Sequence, residues 1–129
     1  MKFPAAALKA ACFVLLATAV YMRAVDSQTV TVKGFVLDSA CAFTKGLTKP
    51  VSKQCARDCA KGGSPLVILA DNGDIYWPIS ETMPATGQNQ KLLPFAGDWV
   101  TATGKVYQRG GSKAIAIEKI EAQPPVSHK

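Results

Sequence analysis

The chain has 129 residues, of which 48% are apolar and 19% charged, with a formal net charge of +6. That supplies one modest hydrophobic core and leaves no room for a second domain. The basic residues are dispersed and not clustered, and apart from one row at Lys53, Arg57 and Lys61 they give no patch; with no aromatic side chains interleaving that row, nucleic-acid binding is disfavoured.

Lys2 and Lys9 precede an uncharged run from Ala10 to Met22, the basic-then-apolar order of an export signal. Residues 1–27 are therefore expected to be a signal peptide or a membrane anchor. Ala17-Thr18-Ala19 and Val25-Asp26-Ser27 are possible cleavage sites. Without cleavage, residues 3–22 approach the ~20 residues that span a bilayer, with Lys9 snorkelling, and form the chain's one route to a membrane. Either way the domain is expected to be exported, periplasmic or extracellular, and the uncleaved form to be anchored to the inner membrane by residues 3–22. Cleavage after Ser27 removes Lys2, Lys9, Arg23 and Asp26 and lowers the charge to +4. Cys12, inside the apolar run, reads as a small apolar residue.

The remaining expectation is mainly β: a five-stranded OB-like barrel over 28–122 with one short cysteine-bearing helix between the first two strands. Thr29 to Asp38 alternates, placing Val30, Val32, Gly34 and Val36 on one face. A glycine there lets a strand bend or approach another backbone closely, as a small barrel requires. Cys41 follows at the strand exit. Pro50 suits the first turn of a helix running to Lys61, stopped by Gly62-Gly63. At 3.6 residues per turn Val51, Cys55 and Cys59 form one stripe, expected to face the body of the domain, with Lys53, Arg57 and Lys61 well away from it.

Leu66 to Asp71 and Asp74 to Ile79 flank Asn72-Gly73, the strongest hairpin signal in the chain, and Pro78 makes its second strand an edge or ends it. Ser80 to Asn89 reads as an exposed loop, and Gln90 to Phe95 as a helical turn before Gly97. Asp98 to Gln108 and Lys113 to Glu121 form a second hairpin through Arg109-Gly110-Gly111-Ser112. Val100-Thr101 with Gly104 repeats the phase of Val30-Thr31 with Gly34. Five short strands with bend-permitting glycines point to an OB-like barrel. Residues 123–129, with Pro124-Pro125, are expected to be a flexible tail.

The motifs D-S-A-C at 38–41, C-A-R-D-C at 55–59, G-S-P-L at 63–66 and G-K-V-Y-Q-R-G-G-S-K-A-I-A-I at 104–117 resemble a group of small exported bacterial proteins with an OB-like domain and no settled activity. The resemblance covers nearly all of the chain beyond residue 27. Its members often carry a histidine three residues before the middle cysteine, which would complete a metal-ligand set. Here that position is Ser52, and the resemblance transfers no catalytic residues.

Cys41, Cys55 and Cys59 carry the chemistry that the sequence offers. The leading expectation is a disulfide from Cys41 to Cys55 or Cys59 in an oxidising compartment, worth about 3 kcal/mol in the chain-entropy model. A bond between Cys55 and Cys59, one helical turn apart, strains disulfide geometry. One thiol is then left over. The alternative uses all three as soft-metal ligands, for Cu(I) or for Zn²⁺ with a fourth ligand; His128, the sole histidine, lies in the tail. A third reading, thiol-disulfide exchange, lacks the C-x-x-C spacing of thioredoxin-like sites. No H-E-x-x-H, G-x-S-x-G or phosphate-cradling loop occurs, and a cysteine hydrolase has no placed base. The expected function is thus a non-catalytic, cofactor-free binding or interaction domain whose partner is a protein or small ligand. Tyr76, Trp77, Trp99 and Tyr107 are its candidate ligand surface, against the plainer reading that strand aromatics cover a core edge.

Overall fold

The computed structural model describes residues 27–47 and 51–124. The expected signal or anchor helix, and all of the tail beyond Pro124, lie outside the described residues. The elements follow in the order β1 (Gln28–Asp38), α1 (Ser39–Thr44), α2 (Lys53–Lys61), β2 (Leu66–Ala70), β3 (Ile75–Pro78), α3 (Asn89–Leu92) with a 3₁₀ turn (Leu93–Phe95), β4 (Trp99–Arg109) and β5 (Ser112–Ala122). The architecture is mainly β, and the five strands close into a barrel ordered β1-β2-β3-β5-β4. All neighbours are antiparallel except β3 and β5, which run parallel through Tyr76–Lys113, Trp77–Ala114 and Pro78–Ile115. β3 does end at Pro78, but it is no edge, because it is paired on both sides.

Two glycines make the closure possible. Gly34 pairs with both Ala70 and Val100, where β1 passes from β4 to β2. A Cβ at Gly34 would come within 2.6 Å of the Leu69 carbonyl oxygen. At Gly104 the β4–β5 register shifts, and a Cβ there would collide with the Ala116 carbonyl. The equal phase of the two glycines thus marks two sharp bends of a small barrel.

The alternation of β1 sorts the apolar side chains into two cores. Val32 and Val36, joined by Ile68, Val100, Ala102, Ile115 and Ile117, fill the barrel, and Val30 packs against them. Phe35 and Leu37 point the other way and meet Val67, Leu69, Cys41 and Ala42 on the outer wall. Leu37 and Val67 are as deeply buried as Val36 and Ile68. The outer wall of β1 and β2 is therefore covered, and the runs F-V-L and L-V-I-L are apolar on both faces for that reason.

Two helices, and not one, join β1 to β2. α1 is too short to show a period in sequence; Asp38 starts it by accepting the Cys41 backbone N–H at 2.8 Å. α2 begins at Lys53, because Ser52 is its N-cap and accepts the Cys55 N–H at 3.1 Å. It stops at the expected glycines, with Gly63 at φ 97°. Its buried face also differs from expectation. Ala56 and Ala60 enter the barrel core, whereas Cys55 is exposed and Cys59 half-buried. The cysteine stripe lies about 100° from the alanine stripe, so it flanks the contact. The small alanines let the helix sit close over the barrel.

Among the described residues no helix is long and apolar enough to cross a membrane. Gln123, expected in the tail, is tied down: its backbone N–H donates to the Trp99 carbonyl at 2.8 Å and its side chain to the Val100 carbonyl at 2.9 Å.

Candidate functional site

The three cysteines come together around Asp38, the one charged residue that is buried among the described residues, at 4% exposure. Its carboxylate sits where β1 hands over to α1, and the thiols of Cys59 and Cys41 donate to it. Cys55 lies against Cys59. Burial by itself raises the Asp38 pKa. The Cys41 N–H, both thiols and the Ala40 N–H outweigh burial and hold the carboxyl below its ordinary value. The thiols move the opposite way. Cys59 is pushed up to about 11, first by its hydrogen bond to Asp38 and then by desolvation and the Asp38 charge. Cys41 is raised by burial first, and then by Asp38.

No disulfide of the expected kind is seen: Cys41, Cys55 and Cys59 are all free thiols in this structure. Asp38 stands between the end of β1 and the two helices, holding the Cys41 backbone N–H at 2.8 Å and lying beside the thiols of Cys41 and Cys59. Among the described residues, no group of three or more His, Cys, Asp or Glu side chains is placed to hold a metal ion. Ser52, at the position where the resembling proteins often have histidine, serves as the α2 cap.

The aromatic candidates separate. Tyr76 packs against the barrel core, and its ring lies 5.8 Å from the Lys113 ammonium. Trp99 meets Phe35 edge-on at 5.6 Å. Trp77 points outward beside Phe43, ring centroids 6.3 Å apart and tilted by 37°. The pairing Trp77–Ala114–Tyr107 sets these three residues in one cross-strand row on the outer face, with the small Ala114 between the two rings. The Tyr107 hydroxyl donates to Glu81, which also pairs with Lys105 at 3.2 Å.

Trp77 is shared by two cavities. One, of about 390 Å³, is lined by Phe43, Trp77, Ile75, the Gly73 and Gly110-Gly111 turns, and the Asp74–Lys113 ion pair. The other, of about 350 Å³, continues beyond Trp77 between Pro65, Pro78 and Gln88. The turn residues build the first cavity directly. Asn72 does not adopt positive φ; its side-chain oxygen accepts the Asp74 N–H at 3.0 Å, and its amide donates to the Asp74 carboxylate at 3.0 Å. That leaves Asp74 aimed at Lys113.

Sequence reasoning missed Phe43, which is 67% exposed, along with Asp38, Asp74 and Lys113. The D-x-x-C spacing carried the signal for Asp38, since an aspartate three residues before a backbone N–H is an N-cap pattern. Nothing local marks Phe43, whose neighbour Trp77 is 34 positions away in sequence. Comparison of the chain with protein-family models, with curated proteins and with solved structures finds no match in any of the three.

Proposed function

We propose that this is an exported, non-catalytic binding module with an OB-like barrel, and that its ligand lies across Trp77. The strand order β1-β2-β3-β5-β4, the parallel β3–β5 closure and the helical segment between β3 and β4 support the OB-like reading. Barrels of that kind bind ligands on the face of their second and third strands, between the first connection and the last hairpin turn. The observation that carries the proposal is the position of Trp77. It stands on β3 at the junction of two cavities, flanked by Phe43 from the β1–β2 connection and by the Gly110-Gly111 turn. Fold alone would not assign a function; the side chains at that place are what support this reading.

In this reading Cys41 and Cys59 have a structural role beside Asp38. Exchange needs thiolate, and at Cys59 and Cys41 burial and the Asp38 carboxylate disfavour it.

A melting-temperature screen against neutral oligosaccharides, short peptides and oligonucleotides tests the proposal. At least one class is expected to raise the melting temperature of the wild type, and Phe43→Ala and Trp77→Ala are expected to abolish that shift. Phe43 is exposed, so its variant remains folded and keeps the test valid if Trp77→Ala is unstable. A shift that survives Phe43→Ala, or no shift from any class, contradicts the proposal.

A further inference from the structure

The barrel is closed over only part of its height. β1 has eleven residues and β2 five, and β2 pairs with Gly34 to Asp38 alone, so β1 overhangs it from Gln28 to Lys33. That overhang is paired to β4 on one side, and no strand lies on the other. Backbone phase decides which groups face the gap. The Ser39 N–H donates to the Pro65 carbonyl at 2.9 Å on the β2 side, and the Val36 N–H to the Asp98 carbonyl at 3.0 Å on the β4 side. Even-numbered residues of β1 therefore bond toward β4 and odd-numbered ones toward β2. Thr29 and Thr31 aim their N–H and C=O groups past the end of β2, where no backbone partner meets them among the described residues.

An open edge of this kind templates further strand pairing unless a proline, a bulge or a charge blocks it. None of these interrupts Q-T-V-T-V at 28–32, which is β-branched at every position after the first; the first charge is Lys33, next to β2. Thr29 and Thr31 are exposed, and Val30 is half-buried at the rim of the barrel core.

The same stretch is complementary to itself. Run antiparallel against a second copy about a two-fold axis at Val30, Thr29 of each copy pairs with Thr31 of the other. Their N–H and C=O groups then bond across the axis, the threonine side chains meet on the outer face, and the two Val30 side chains close over the rims of both cores. Every paired position lies between Gln28 and Val32, so Gly34 keeps Ala70, and no like charges meet. Pairing two residues further along would press Gln28 of one copy against Gly34 of the other, whose far side β2 already fills.

We propose that this protein self-associates as a two-fold symmetric dimer through antiparallel pairing of the overhanging half of β1, with Val30 on the axis. The surface shares no residue with the trough that the two cavities form at Trp77, so either proposal can fail without the other.

Sedimentation equilibrium of the full chain in a density-matched non-ionic detergent tests this. The wild type is expected to dimerise reversibly and weakly, as so short a ladder requires. Thr29→Glu with Thr31→Glu sets like charges opposite each other across the axis and is expected to weaken the dimer about tenfold. Thr29→Glu with Thr31→Lys sets opposite charges there and is expected to match the wild type or exceed it. Both variants share the change at Thr29, which pairs with Lys105 of its own chain, so a difference between them reads the contact between copies. Thr31→Pro removes an N–H aimed at the gap and no bond to β4, and is expected to abolish the dimer in a folded chain. A wild type that stays monomeric at millimolar concentration overturns the proposal. So does association that ignores Thr31→Pro or falls equally in both charge variants, which is how contact through the apolar run from Ala10 to Met22 would behave.

Discussion

Asp38 shows how much one side chain sets. It ends β1, caps α1 and holds the thiols of two separate helices, and its pKa and theirs move apart because each stabilises the other's neutral-thiol, charged-carboxylate state. Removing its charge is predicted to return the Cys59 thiol toward ordinary values. In Asp38→Asn with Cys55 replaced by Ser, the pH midpoint of Cys59 alkylation should fall well below the value of about 11 in the parent, read by mass spectrometry. An unchanged midpoint would remove Asp38 from the site. The same shifts fix the pH dependence of stability. A lowered Asp38 pKa contributes stability above the unfolded carboxylate value, which is lost as pH falls through the folded one. A raised Cys59 pKa contributes below the unfolded thiol value of 9.0, and is lost as pH rises toward about 11. Melting temperature should therefore decline at both ends, and Cys59→Ser should flatten only the alkaline decline.

At the scale of elements, the helix ends and strand bends carry the testable content. Ser52 caps α2, so Ser52→Ala should cost about 1 kcal/mol in urea unfolding, whereas the exposed Gln54→Ala should cost little. Gly104→Ala should cost about 1–3 kcal/mol, since the new Cβ meets the Ala116 backbone and no flexible side chain can give way. These places also show what the sequence makes legible. The strands could be read because β alternation and glycine punctuation are local, and the α2 stop at Gly62-Gly63 likewise. The inward face of α2 could not: hydropathy favours cysteine over alanine, but the close approach of α2 to the barrel favours the smaller side chain. α1 escaped notice because six residues give no period. The disulfide expectation rested on an oxidising compartment and on the loop that such a bond would close; nothing in the sequence signals that the Asp38 carboxylate lies beside two of the thiols.

For the molecule as a whole, the barrel closes through its shortest strand, and that strand carries Trp77. β3 meets β2 through two residue pairs and β5 through three, so the seam and the proposed site coincide. A ligand stacked across Trp77 would bridge α1, β3 and the β4–β5 turn, elements that meet nowhere in sequence, which is why neither Phe43 nor Lys113 could be assigned before the fold was known. The chain has two tryptophans, and Trp99 packs against Phe35 away from the trough. Trp99→Phe consequently leaves Trp77 as the sole indole. The most direct test follows its emission during titration with neutral oligosaccharides, short peptides and oligonucleotides: the account predicts a saturable blue shift with at least one class, as water leaves the indole face, that is lost when Phe43→Ala is added. Emission that does not change at saturating concentrations of any of the three classes, or a shift indifferent to Phe43→Ala, would contradict it.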